Sequence, residues 1–352
     1  MVSDKMKIFL RYFLRFIFLL LTIIIVWSAF NFSLVLYGID QLKGQMHIVM
    51  NARNIQDVID DTSIPDSVKQ KIYFIEKVKK FAIDTIGLKP SENYTTFYDQ
   101  KNKPLLWVIT ASEPFEIKAY EWKFPLLGKV TYKGFFDFDK GKKEEALLKA
   151  KGLDTDYGEV SAWSTLGWFH DPILSGMLRR TKGQLAELII HELTHSTLYL
   201  KSNVNLNENL ASVCGEQGAI HFLRSTYGMD SKELDEYLDI KEDYNKFSRQ
   251  MLIGTHLLDS LYKNIIDSNT IFKQINKNLM IKAIVRSLDT ITFNNPLRYK
   301  NLFKKTLPNN AYFIDFIRYD AQKDEMKNVL LKKFNGNIEE YINFLRIEKD
   351  SI

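Results

Sequence analysis

Apolar positions follow three patterns along this chain. From residue 16 to residue 39 no charged residue occurs, and residues 16–26 are apolar but for Thr22. A bilayer core about 30 Å thick takes roughly 20 such residues in a helix, so residues 16–39 are expected to span a membrane. Lys5, Lys7, Arg11 and Arg15 precede the run, whereas only Asp40 and Lys43 follow it closely. That asymmetry predicts a single-pass protein of the cytoplasmic membrane with its N-terminus in the cytoplasm and the remainder outside. Residues 1–15 would form a basic cytoplasmic segment, and residues 40–352 an extracytoplasmic (periplasmic) domain. A cleavable signal peptide is the rival reading. Its apolar core is usually about 7–15 residues, and Ser28-Ala29 is a weak cleavage candidate.

The second pattern is helical. Residues 37–61 read as a helical neck, with Leu42, Met46, Val49 and Met50 on one side, and residues 68–86 carry Ile72, Ile75, Val78, Phe81 and Ala82 at helical spacing. Gly87-Leu88-Lys89-Pro90 stops that helix. The third pattern is β-rich: residues 105–110 and 129–133 read as strands joined through a loop over 122–128. A charged helix at 140–151 and a third short strand at 158–163 follow. Helical spacing returns over 184–200 and 206–226, and from Asp230 onward the chain reads as helical, with Pro296 and Pro308 as breaks. The order predicts an α+β fold, predominantly α, behind an N-terminal transmembrane helix; a sheet followed directly by a helix that carries H-E-x-x-H at residues 191–195 is compatible with a zincin-like metallopeptidase domain.

Composition narrows the partners. The net charge is +5, and no basic stripe is interleaved with aromatics, so no nucleic-acid partner is expected. Cys214 is the only cysteine, which excludes an intrachain disulfide and a thiolate zinc site.

Candidate chemistry concentrates in His191-Glu192-Leu193-Thr194-His195, followed twelve residues later by Asn207-Glu208-Asn209-Leu210-Ala211. Histidines four apart share one helix face, so both imidazoles can reach one metal ion. Residues 201–207 are polar and rich in asparagine, and turn the chain into a second helix capped by Asn205 or Asn207. A helical hairpin brings Glu208 back beside His195 as the third ligand, leaving one position open, as a catalytic zinc site requires. Glu192 projects about 100° away from His191, which suits it to general-base work. Glu216 is the rival ligand, or an acceptor for a ligand-histidine N–H, and Glu187 is a second such acceptor. An uncompensated cluster of two imidazoles and a carboxylate on apolar helices is costly to bury, and a divalent metal removes that cost.

At these residues the sequence resembles the bacterial family of predicted zinc aminopeptidases, whose members carry a membrane or lipoprotein N-terminus, an H-E-L-x-H helix and N-E-x-x-A. The likeness extends to Tyr37-Gly38, Gly44-Gln45, the segment 121–128, Tyr132-Lys133-Gly134-Phe135-Phe136, Gly152-Leu153-Asp154, the loop 162–172 and Leu307-Pro308-Asn309-Asn310-Ala311. It covers residues 37 to 320. Two departures stand out: no N-terminal lipobox cysteine is present, and His170 stands where the family tends to be acidic. The large zinc aminopeptidases share N-E-x-x-A, but their G-A-M-E-N motif is missing here.

The expected function is therefore that of a membrane-anchored, Zn2+-dependent peptidase acting on peptides or proteins, with aminopeptidase activity implied by the resemblance. Two alternatives stay open: a zinc endopeptidase acting on envelope or membrane proteins, and a non-catalytic zincin-fold binding module. Ser164 and Thr165 are candidate substrate contacts, beside Trp163, Trp168 and Phe169 as a pocket lining. Tyr319, Tyr312 and His256 are candidate oxyanion donors.

Overall fold

A computed structural model describes residues 4–124, 128–160, 170–200, 204–265, 269–320 and 323–350. The chain divides into two compact units, Met1–Asn51 and Ala52–Ile352.

The first unit consists of α1 (Asp4–Phe30) and α2 (Phe32–Asn51). Within α1, Ile8–Phe30 is long and apolar enough to cross a membrane, with a mean hydropathy of 2.4 and none of it buried. A signal sequence would show the same features. This window begins earlier than the expected 16–39. It takes in Arg11 and Arg15, and it ends where the Asn31 amide donates to the Trp27 carbonyl at 2.9 Å. The expected neck also ends sooner, at Asn51. Beyond it Arg53 and Asn54 pair as a strand, and the Asn54 side chain accepts from Gln56 N to start a short helix.

The second unit opens with β1 (Arg53–Asn54), α3 (Ile55–Asp60) and α4 (Asp66–Asp84), whose face Ile72, Ile75, Val78 and Ala82 is fully buried, as the spacing predicts. There follow β2 (Thr96–Tyr98), β3 (Trp107–Ser112), β4 (Trp122–Phe124), β5 (Gly128–Val130), β6 (Tyr132–Phe135), α5 (Phe138–Ala150), β7 (Asp154–Glu159) and β8 (Ile173–Leu174). These strands form three small sheets. Antiparallel β6-β3-β7 is the largest; β1-β2-β8 pairs β2 with β8 in parallel; β4 and β5 form a hairpin. The single strand expected over 129–133 is thus divided between two sheets. Part of the expected loop over 122–128 is strand β4. The third strand is shifted toward the N-terminus because Asp154 to Glu159 pair with the whole of β3, from Ser112 back to Trp107.

Helices make up the rest. A 3-10 turn (Ser175–Arg179) leads to α6 (Lys182–Thr197), α7 (Val204–Tyr227), the 33-residue α8 (Lys232–Asn264) and α9 (Thr270–Ser287). The short α10 (Pro296–Lys300) precedes α11 (Asn310–Asp320), α12 (Lys323–Lys333) and α13 (Ile338–Asp350). The fold is α+β and mostly α. Phe247, Met251, Leu258, Ile281, Ile284 and Phe313 form the centre of a helical core shared by α8, α9 and α11.

A buried polar joint ties these helices to the sheet. Lys277 on α9 is 1% exposed, and its ammonium donates to Asp154 on β7 and to the Pro114 carbonyl at 2.9 Å. The same Asp154 oxygen accepts Asn310 N at 2.9 Å, while the Asn310 amide donates to Glu113 O and accepts from Tyr262 Oη. Asn309 donates to Thr155 O. The Asn309-Asn310 pair is therefore the start of α11 and its lock onto the sheet.

Removing one partner of such a pair strands a buried charge. Lys277→Met is expected to lower unfolding stability by about 3–5 kcal/mol, read from urea midpoints. Adding Asp154→Asn should recover part of that loss; strictly additive losses would show that the two residues do not act as a pair.

Candidate functional site

The H-E-x-x-H segment lies in the C-terminal half of α6, which starts with a reciprocal capping box. Thr181 Oγ1 accepts Gln184 N, and Gln184 Oε1 accepts Thr181 N. Leu185, Ala186, Ile189, Ile190 and Leu193 are fully buried, so the helix is held on several sides, and His191 and His195 project from one face. Their Nε2 atoms stand 3.2 Å apart, with the rings edge-on at 84°.

Glu208 arrives from the first turns of α7. Residue Asn207 is inside this helix and does not cap it; its buried amide instead clasps the backbone at the end of the hairpin. Leu200 N donates to Asn207 Oδ1 at 2.7 Å, and Asn207 Nδ2 donates to Leu200 O at 2.8 Å. The next side chain along, Glu208, places Oε2 at 3.5 Å from His191 Nε2 and Oε1 at 3.5 Å from His195 Nε2. Taking one ligand atom from each residue, the three lie within 4.8 Å of one another.

Two small residues let α7 approach this closely. A Cβ at Gly215 would sit 2.9 Å from Glu187 O and 3.2 Å from His191 Cβ, and one at Gly218 would sit 2.9 Å from Ile190 Cγ2. Ala211, the last residue of N-E-x-x-A, is completely buried nearby in sequence on the same helix.

Two unprotonated imidazole nitrogens 3.2 Å apart repel through their lone pairs, so the arrangement calls for a proton or a cation. The Glu208 carboxylate, an acceptor only, favours the uptake of either. Burial opposes charge on both partners, yet the mutual hydrogen bonding prevails: Glu208 is lowered to about 2 and His191 is raised above its usual value. Ligand atoms bound tetrahedrally at zinc bond lengths stand about 3.3 Å apart. The histidine pair matches that edge, and the carboxylate contacts are slightly wider. The donor set therefore fits a divalent metal.

Glu192 is buried beside the histidines; burial together with the Glu192 charge pushes the Tyr94 hydroxyl well above its usual pKa, and burial lowers that of Arg180 against the pull of Glu187 and Glu192. Neither residue was singled out from sequence. Tyr94 is buried at a positive φ of 64°, a region uncommon for a bulky residue. Its N–H donates to Asp171 O at 2.7 Å, and the neighbouring Asn93 amide both accepts from Asp171 N and donates to Ser196 on α6. The positive φ is the only local anomaly at this turn, and no sequence pattern announces it.

Glu216 and Glu187 have other partners than those expected. Glu216 is 3% exposed and lies within ion-pair distance of Lys241, Lys323 and Lys327, which outweigh the effect of burial and lower its pKa to about 2. Glu187 accepts from Lys241 at 2.8 Å. Among the described residues no hydrogen bond joins either carboxylate to a histidine ring; the distant lysines, on α8 and α12, claim them first. Ser164 and Thr165 lie outside the described residues, as do Trp163, Trp168, Phe169 and the side chain of Tyr319. Tyr312 packs in an aromatic cluster with Phe303, Phe313 and Phe316, and His256 is exposed on α8.

The sequence profile of a family described as "Putative aminopeptidase" matches residues 36–348. No curated protein and no solved structure matches the chain.

Two outcomes are expected. Gly215→Ala forces α7 away from His191 and should cost about 1–3 kcal/mol in urea unfolding, as overpacking does; an unchanged midpoint would show that the helices can give. In metal-free protein the His191–Glu208 pair contributes stability that is lost as pH rises through the raised His191 pKa, and again as pH falls through about 2. Urea midpoints followed from pH 4 to pH 9 should decline on the alkaline side, and Glu208→Gln should flatten that decline.

Proposed function

The chain belongs to the Putative aminopeptidase family, and from that premise we propose that it is a zinc-dependent, membrane-anchored peptidase with a zincin-like site. The observation that carries the reading is the convergence of His191 Nε2, His195 Nε2 and the Glu208 carboxylate on one point. His191, His195 and Glu208 hold the metal. When bound, zinc supplies a water of lowered pKa and a Lewis acid for the scissile carbonyl.

The chain's own groups do the rest. Glu192 takes a proton from the attacking water and passes it to the leaving amine. Its burial keeps bulk water from competing for that proton. Arg180, half-buried and within electrostatic reach of Glu192, supplies a positive charge that suits the negative charge that develops as the carbonyl is attacked. The Asn207 clasp and the two glycines of α7 act at a distance by fixing Glu208.

An endopeptidase reading is favoured by one observation. An aminopeptidase must hold a free α-amine with an acidic group, and the buried Glu216 of α7 is already neutralised by three lysines. Under either reading α1 anchors the chain, with its N-terminus on the cytoplasmic side.

One experiment addresses the whole proposal. Purified full-length protein should contain one zinc per chain and hydrolyse peptides. Glu192→Gln should keep the metal while losing at least about 100-fold in kcat. Glu208→Ala should release the metal. Zinc retained in full by His191→Ala/His195→Ala would overturn the site. Activity on free but not N-acetylated peptides marks an aminopeptidase, and equal activity on both marks an endopeptidase.

A further inference from the structure

Helix α9 presents two unlike faces. Lys277, Ile281 and Ile284 point inward, where Ile284 lies against Gly254 of α8, and Gln250 on the same helix donates to Ser287 at 2.6 Å. The opposite side carries Phe272, Ile275 and Leu279, at 47%, 52% and 59% exposure, with Ile271 more exposed still. On the adjacent α8, Ile253 and Leu257 are exposed too. A folded domain rarely leaves a helix stripe of this size bare without a use for it.

Charge indicates what covers it. Between Thr270 and Ser287 there is no acidic residue, whereas Lys273, Lys282 and Arg286 add to the buried Lys277. Lys282 and Arg286 are exposed and, three and seven residues after Leu279, continue the same face toward the C-terminal end of the helix. An apolar face that runs on into cations, on a helix with no acidic residue, matches the composition of a helix that lies in the interface of an anionic bilayer. Such a helix buries its apolar side about 5–10 Å deep and leaves its cations among the headgroups. A protein groove would be expected to offset these charges with acidic residues, but an anionic lipid surface does so without any.

We propose that the outer face of α9 docks on an anionic lipid surface. The reading of α1 as a membrane anchor enters only because it holds the chain near a bilayer. Docking gives the domain a second contact with the membrane, made by apolar insertion and charge together. Two contacts limit how the domain can turn, whereas one tether leaves it free to rotate.

A reporter thiol tests this in the intact chain. Cys214, the single native cysteine, is buried and its pKa is pushed up to about 12 by burial, so introduced thiols label selectively. Full-length protein carrying Leu279→Cys, or Leu147→Cys as an exposed reference on α5, is labelled with a fluorophore. It is then reconstituted into phosphatidylcholine vesicles with or without phosphatidylglycerol. A lipid-borne quencher should dim the reporter at 279 and not at 147, and phosphatidylglycerol should strengthen the effect. Lys282→Gln and Arg286→Gln should each weaken docking by about fivefold. No quenching at 279, or equal quenching at both positions, overturns the proposal. So does shielding at 279 that disappears on diluting the protein in the bilayer, since a second copy would then be the occupant. Co-flotation with neutral vesicles reads the α1 anchor separately, so a failed anchor and a failed α9 contact are told apart.

Discussion

The close contact of α6 and α7 is the constraint on which the site depends. Two imidazoles and a carboxylate can meet only if the backbones carrying them nearly touch, and the approach is set by Gly215 and Gly218. Either glycine replaced by a larger residue would push Glu208 away from His191 and His195. The Asn207 clasp on Leu200 closes the hairpin from the other end. Packing therefore sets distances that the side chains alone could not hold, because flexible carboxylates lose entropy when they are fixed.

Around this contact the charges are arranged in shells. Innermost are the histidines and Glu208. Behind them Glu187 and Glu216 are bound to Lys241, Lys323 and Lys327, which connect α6, α7, α8 and α12. A buried carboxylate left alone would take up a proton or draw a cation from elsewhere. Here each has a lysine, so neither competes with Glu208 for the histidines. The same principle joins the helices to the sheet, where Asp154 is shared between Lys277 and the backbone of Asn310.

Segments that look alike in sequence serve different ends in the fold. Asn207 and Asn310 both stand at helix starts in polar runs, where capping is the natural expectation. Both instead use their amides to bind another segment's backbone, at Leu200 and Glu113 respectively. Tyr94 has no distinguishing neighbours in sequence, yet its positive φ and its tie to Asp171 hold it beside Glu192.

What the sequence determined by itself is local and periodic. The apolar N-terminal helix, the buried face of α4, the course of α6 and the shared face of His191 and His195 all follow from spacing along one element, since side-chain direction repeats with the helix turn. The likeness along residues 37 to 320 pointed to the family whose profile matches residues 36–348. Strand partners were less legible: the 129–133 run divides between two sheets because pairing is decided by which strand lies alongside, not by the run itself. The partners of Glu187 and Glu216 were not legible at all, for their lysines lie from 25 (Glu216 to Lys241) to 111 (Glu216 to Lys327) residues away in the chain, on α8 and α12. Only the tertiary structure decides which charge reaches a buried carboxylate first, because that choice depends on distance through space and on exclusion of water, and neither is written in the order of residues.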